Sequence, residues 1–441
     1  MKIIFIQPAV GKKEGQNYLR SWQMESLCIA QLASLTPPEI ERVFFDERME
    51  EIDFGMKADA VAITVDTFSA KRAYQIAEIY QKNGVTVIMG GKHATLCTDE
   101  VSDHADITVA GEAEDIWKNI LNDVRFGKAK KVYRAPGRAD LAGIRPDRSI
   151  YGSKKYLPIS LVESTRGCVF NCDFCAVTAF YKQTFRVRPV DEVIAEVKSL
   201  KHKAVFFVDD NIGADREHFR ELLTKLIPLR IKWFSQISID IMQDDQILEL
   251  MRKSGCLGVL IGFESIDRQN LEQMKKDSTR TIADYSLVLP KIRKAGIAVY
   301  ATFVFGYDND NNDLIDRTLK FAIDQKFIFA AFIPLIPYPG TPLYEKLRKD
   351  GRLPEEKWWL DNNRYCDVAF TPRSMTAAHL SQKCLEERQK FYSARSIIRR
   401  IEFSANCRNL YSAMVFLMFN LIFRKEATQR EKMPLGFANK K

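Results

Sequence analysis

The stretch "ISLVESTRGCVFNCDFCAVTAFY", residues 159–181, runs from a short apolar strand pattern into three closely spaced cysteines, Cys168, Cys172 and Cys175. The chain has 441 residues and nine cysteines, so a third of its thiols sit in this one loop. Thiols grouped just after a strand point to metal or redox chemistry if they stay reduced. The opening "MKIIFIQPAV" supports that condition. Its apolar run of about five residues falls short of the roughly 7 to 15 of an export signal, so it reads as a first buried strand and the expected localisation is cytoplasmic.

What would complete three thiolates decides their chemistry. A structural zinc site calls for four ligands in two knuckles, and neither a second CxxC nor an HxxxH follows. Three unrelated buried thiols fit poorly in a loop flanked by Arg166, Gly167 and Asn171. A cubane iron-sulfur cluster accepts up to four thiolates, and with three it leaves one iron open to another ligand.

Outward from this stretch the pattern repeats. "AVFFVDDNIG", "KWFSQISID", "LGVLIGFES", "AVYATFVFG" and "IFAAFIPLIP" follow it, separated by helical stretches such as "REHFRELLTKLI". Six strand and helix units over 159–350 suggest a full or partial parallel barrel, with its active site at the carboxyl ends of the strands. Upstream, residues 1–131 alternate in the same way, which predicts an open, doubly wound α/β domain. Its strand ends fall at Gln7 and Pro8, Thr64 to Thr67, Gly90 to His93, and Gly111 to Glu114. Residues 132–158, rich in Pro, Gly and charge, read as a linker.

Residues 351–441 read as a mostly helical C-terminal region. Its apolar run Leu410 to Phe423 is shorter than the roughly 20 residues of a bilayer span, so it is a packing or an interfacial helix. Arg395, Arg399, Arg400, Arg408, Arg424 and Lys425 precede or flank that run, which leaves room for a peripheral membrane contact. The net charge of +9 is spread along the chain with no recognisable binding module, so no nucleic-acid partner is expected.

The Cx3Cx2C motif and its setting resemble the radical S-adenosylmethionine (SAM) superfamily. The resemblance implies a 4Fe-4S cluster on Cys168, Cys172 and Cys175, whose open iron binds SAM and whose electron splits it to a 5'-deoxyadenosyl radical. A flavodoxin- or ferredoxin-type donor would supply that electron. Phe174 matches the position that lies against adenine, although alone it would be ordinary core. Asp209 and Asp210 match polar groups near the SAM amino group, with helix capping as the other reading. Gln236, Glu264 and Ser265 resemble contacts to the ribose and the methionyl part, and Gly306 matches a later strand end.

An α/β domain placed before such a barrel resembles the cobalamin-binding subgroup, the class B methylase-like members. The match lies in residues 60–117. It implies that Thr64 and Thr67 face the nucleotide tail, that Gly90 and Gly91 let backbone approach the ligand, and that Gly111 and Glu112 line the far wall, with Gln7 at the first strand end. None of the five histidines has the Asp-x-His-x-x-Gly context that supplies an axial imidazole, and His93 is the one in a plausible ligand loop. Either the corrinoid is held without an imidazole or the domain binds none.

The fold class expected is therefore a Rossmann-like cobalamin-binding-type domain, a partial (β/α)6 barrel and a helical tail. The resemblance implies methylation of an unactivated carbon through methylcobalamin, and the basic residues around the apolar tail helix suggest a hydrophobic, lipid or tetrapyrrole-like substrate. A radical SAM cyclase, coupling or oxidative enzyme without methyl transfer, and a cluster-bearing sensor, are the alternatives.

Overall fold

Short apolar runs separated by amphipathic stretches fold into two six-stranded parallel sheets and one small hairpin. The computed structural model describes residues 1–276, 282–361 and 363–437. The first sheet contains β1 (Lys2–Gln7), β2 (Glu41–Asp46), β3 (Ala60–Thr64), β4 (Thr86–Gly90), β5 (Ile107–Ala110) and β6 (Val132–Arg134), in the order 2-1-3-4-5-6. Successive strand side chains point to opposite faces. Accordingly Ile4 and Ile6 join one core, and Ile3 and Phe5 the other. The strand order reverses between β1 and β3, which opens a crevice at the carboxyl edge of the sheet.

The stretch 132–158, expected as linker, departs from that reading at its start. Val132 to Arg134 pair in parallel with Thr108 to Ala110 as the last strand of the first sheet. Beyond it the chain stays packed on the first unit, where Tyr151 Oη donates to the Ser26 carbonyl at 3.1 Å.

The second sheet begins at β7 (Ser160–Val162). After the antiparallel hairpin β8 (Thr165–Gly167) and β9 (Phe185–Val187) come β10 (Ala204–Phe207), β11 (Lys232–Gln236), β12 (Cys256–Glu264), β13 (Ala298–Phe305) and β14 (Phe329–Pro334). These six strands lie in sequence order and remain open between β7 and β14, a partial (β/α)6 barrel. Phe263, Phe303 and Phe332 stack across neighbouring strands with ring centroids 5.7 Å apart, fixing the sheet against its helices.

An open edge strand exposes unpaired backbone groups. The C-terminal helices cover this one. Tyr392 Oη donates to the Ala330 carbonyl at 3.0 Å and accepts from its N–H at 3.3 Å, while Arg400 and Asn420 both donate to the Ile328 carbonyl. The helix Leu410–Arg430 lies against the same edge, with Phe423 5.1 Å from Phe329.

Candidate active site

The loop carrying the cysteines is held from below by one buried carboxylate. Asp209, at the end of β10, is fully buried, and its Oδ1 accepts from the N–H and the hydroxyl of Ser164 at 3.0 Å each and from the Thr165 N–H. Its Oδ2 has no partner, and burial pushes its pKa up to about 7. The expectation that Asp209 faces the SAM amino group is therefore corrected: it anchors the turn into β8. A second clamp acts within the loop, where Asp173 Oδ1 accepts from Tyr307 Oη at 2.7 Å and the Asp173 carbonyl accepts from the Leu343 N–H at 3.0 Å.

Above these anchors a cavity of about 480 Å³ opens at the carboxyl ends of the second sheet. Cys168, Cys172, Cys175, Phe174, Asp210, Gln236 and Glu264 all line it. Ser265 and Gly306 do not. Ser265 Oγ accepts from the Asp267 N–H at 3.0 Å in a helix-capping turn. Gly306 has a φ of +129° and donates its N–H to Asp310 at 2.6 Å.

Glu264 has a φ of +62°, a left-handed backbone that an acidic residue rarely adopts. It sits where the β12 and β13 register shifts. There Lys276 Nζ donates to its carboxylate at 2.9 Å and to the Gly262 carbonyl at 2.7 Å. Backbone of this kind persists only where its surroundings hold it. Lys276 also lines the cavity, as do Asn211 and Ser238, joined through their side chains at 3.2 Å. None of the three was singled out from sequence. Lys276 lies beyond an intervening helix, and the other two stand in ordinary-looking strand-end turns.

Burial pushes the Cys172 thiol up to about 12 despite Lys276 nearby, so a neutral thiol is favoured until a metal takes its proton's place. Among the described residues no three His, Cys, Asp or Glu side chains gather tightly enough for a single ion. A single zinc at about 2.3 Å from each sulfur would draw its cysteines together. Thiolates that each bind a different iron of a cubane stand farther apart, so three cysteines around one cavity suit a cluster better than zinc.

A second cavity of about 330 Å³ lies at the carboxyl edge of the first sheet. Thr64, Gly90, Gly91, Gly111 and Glu112 line it. Gly91 has a φ of +113°, and a Cβ there would stand 2.8 Å from the Val65 carbonyl oxygen, so only glycine fits. Cys28 and Leu32 form another wall, and Tyr181 closes it from the cysteine segment. Asp210 lines both this cavity and the one beside the cysteines.

Gln7, Thr67 and His93 stand outside this cavity. The Gln7 amide oxygen accepts from Ser26 Oγ at 2.9 Å. His93 is fully buried, with Nδ1 3.2 Å from Thr67 Oγ1 and Nε2 3.2 Å from Glu100. Glu100 also accepts from Tyr74 and Trp359 at 2.8 Å each. Burial opposes its charge, but these donors hold its pKa at about 2. His93 is thus engaged at both ring nitrogens in a structural network rather than open to a metal.

The two sheets meet through Arg166, which pairs with Glu112 and Glu114 of the first unit at 2.6 Å each and with Glu163 beside the cysteine loop at 2.8 Å. Arg186 adds a bond to Glu112 at 2.9 Å. Burial would raise the Glu112 pKa, yet these two guanidiniums hold it below the usual carboxylate range.

Residues 162–322 match the Radical SAM superfamily. The bacteriochlorophyllide d C-12(1)-methyltransferase of Chlorobaculum tepidum is 31% identical over 390 residues, covering 85% of this chain and 84% of that protein. The anaerobic magnesium-protoporphyrin IX monomethyl ester cyclase of Cereibacter sphaeroides is 25% identical over 389 residues, covering 80% of this chain and 62% of that protein. Among solved structures, the cobalamin-dependent SAM radical enzyme OxsB with aqua-cobalamin bound shares the fold, with a TM-score of 0.68 at 13% identity over 97% of this chain and 71% of that one. The chain belongs to the radical SAM superfamily, among its methyltransferase-like members.

Proposed function

We propose that this radical SAM enzyme methylates an unactivated carbon of an apolar small molecule, with cobalamin in the cavity of the first sheet. The observation that carries the reading is Asp210, one side chain in the wall of both cavities, so that the two sites adjoin. When bound, the cluster supplies the electron that cleaves SAM, and the corrinoid supplies a methyl group for transfer.

Cys168, Cys172 and Cys175 would hold the cluster on a loop kept in place by Asp209 and Asp173. Phe174 would cover the adenine. Gln236 and Asp210 offer polar contacts, and the Glu264 and Lys276 pair presents both charges to the zwitterionic methionyl end. Thr64, Gly90, Gly91, Gly111 and Glu112 would hold the corrinoid by backbone approach and wall contacts. A corrinoid held there would do without His93, which is already bonded at both ring nitrogens.

A third cavity of about 220 Å³ shares Ile333 to Ile336 with the cluster-side cavity. Phe68, Tyr300, Trp358 and Tyr365 wall it, which favours an apolar, ring-bearing substrate. The Chlorobaculum relative, whose name gives carbon methylation of a bacteriochlorophyllide, supports a tetrapyrrole-like or lipid-like acceptor. A flavodoxin- or ferredoxin-type reductant completes the partners, and a peripheral lipid contact would bring the enzyme to such a substrate.

The test is product analysis under reducing conditions with candidate apolar acceptors. A methylase that spends one SAM on the radical and another on the methyl group yields both 5'-deoxyadenosine and S-adenosylhomocysteine. Deoxyadenosine with no S-adenosylhomocysteine would instead support the second reading, a cyclase or other non-methylating reaction, which the Cereibacter relative favours.

A further inference from the structure

The helix Leu410–Arg430 is apolar on two sides. Its inner side packs on the open edge of the barrel through Phe419 and Phe423, with Phe416 buried against Arg400, and Phe423, Ala427 and Arg430 wall the aromatic cavity. Its outer side carries Leu410, Tyr411, Met414, Leu417, Met418 and Leu421, all exposed, Leu410 by 88%. These positions recur at helical spacing and form one stripe about 16 Å long. A helix apolar all round is ordinarily buried. Here one whole side is left uncovered.

The concentration is local. Of the thirteen large hydrophobic residues exposed among the described residues, nine lie between Ile398 and Leu421. Ile398, Ile401 and Phe403, the last 79% exposed, flank Arg400, whose guanidinium donates to Asn420 of the same helix at 2.7 Å. Isolated exposed apolar side chains need no explanation, but a contiguous group marks an interaction surface.

Charge selects the occupant. The stripe continues into Arg424 and Lys425 at one end and starts just after Arg408 at the other, and Arg395 lies beside Ile398; all four are exposed and make no ion pair among the described residues. The outward positions from Leu410 to Lys425 include no acid. The nearest acid on the helix, Glu426, is buried on Ser21 and Arg430. A second copy of this chain would set these cations against their own equivalents across a two-fold axis. A bilayer with anionic headgroups accepts both features, taking the apolar side chains at the acyl boundary while the basic groups reach the phosphates. Among the described residues no helix is long and apolar enough to cross a membrane, so the helix would lie on the surface.

We propose that the outer face of Leu410–Arg430, with Ile398, Ile401 and Phe403, docks the enzyme on an anionic lipid surface, with the wall of the aromatic cavity directly behind it. The proposal deepens the peripheral contact in the functional reading and rests on that reading for its purpose. Its test reads binding rather than turnover, so the two can fail separately.

The experiment is co-sedimentation of the full chain with vesicles of phosphatidylcholine alone and of phosphatidylcholine with 30% phosphatidylglycerol. The expected result is binding to the mixed vesicles that weakens with salt. Arg424→Ala with Lys425→Ala should lower partitioning roughly thirtyfold, the effect of two basic residues near an anionic surface. Phe403→Ser with Leu410→Ser and Leu417→Ser should abolish it while keeping the wild-type melting curve, as exposed substitutions do. No binding to the mixed vesicles, or equal binding to both kinds, overturns the proposal. So does a dimer in sedimentation velocity that the triple variant dissolves, which would assign the face to a second copy.

Discussion

The two parallel sheets are built from the same strand and helix alternation, yet they make different sites. In the first the order 2-1-3-4-5-6 reverses beside β1, and the site is a crevice where Gly90, Gly91 and Gly111 share the wall with side chains such as Leu32, Trp117 and Tyr181. In the second the strands keep sequence order, and the site is a cup that gathers Cys168, Cys172 and Cys175 with the Glu264 and Lys276 pair. Both sites carry charged side chains, and what separates them is the trio of thiols in the second and the close backbone approach that glycine gives the first. The junction between the two is ionic: Arg166 pairs with Glu112, Glu114 and Glu163 beside the cavities and so ties the cysteine segment to the first sheet.

The sharpest way to break the comparison is to disable one cup and ask whether the other survives. Cys172→Ser should reduce iron from about four per chain to near zero and abolish SAM cleavage. Cobalamin retention in the first sheet should not change. Iron analysis and absorbance spectra of the desalted protein check both.

Arg166→Met tests the joint. It leaves Glu112, Glu114 and Glu163 facing one another with Arg186 paired to Glu112, and breaking a buried charge group in this way costs about 3–5 kcal/mol. Urea unfolding should register the loss. Because the substitution separates the sheets rather than emptying either site, iron binding should outlast it.

Asp209→Asn tests the anchor beneath the cysteines through pH. The native pKa of Asp209, about 7, lies above the ordinary 3.8, so the folded state keeps this proton when the unfolded chain has lost it. The wild type is spared any cost below about pH 4 and loses stability as pH rises towards 7, by up to about 4 kcal/mol over that window. The asparagine variant should lack this slope, so the stability difference in its favour should grow from pH 4 to 7 and then level off in urea titrations.

Glu264→Gly should have the smallest effect and the most selective. Glycine tolerates the left-handed backbone at 264, so stability should hold within about 1 kcal/mol. Loss of a charged partner in the cavity should raise the KM for SAM roughly tenfold or more.

Much of this comparison is legible in the sequence, because continuous Val and Ile runs and the Cx3Cx2C spacing are local signals. The alternation yields both sheets, and the spacing picks out the loop that the cavity surrounds. What escaped is non-local. Val132 to Arg134 read as linker because a three-residue edge strand is defined by its partner β5, not by its own pattern. Asp209 and Asp210 are indistinguishable in "VDD", and only the strand pleat sends one beneath the loop and the other into the cavities. His93 and Thr67 occupy strand-end turns suited to a ligand, but Glu100, seven residues on, draws the imidazole inward. Lys276 became a site residue because Glu264 turns left-handed toward it, a backbone feature without a sequence signature.

The most direct measurement of the two-site account is the iron and cobalt content of the anaerobically purified chain after cluster reconstitution, incubation with hydroxocobalamin and desalting. The account predicts about four irons and about one cobalt per chain, with the cobalt retained when Cys172→Ser removes the iron. Four irons with no retained cobalt would contradict it, leaving the crevice of the first sheet as scaffold.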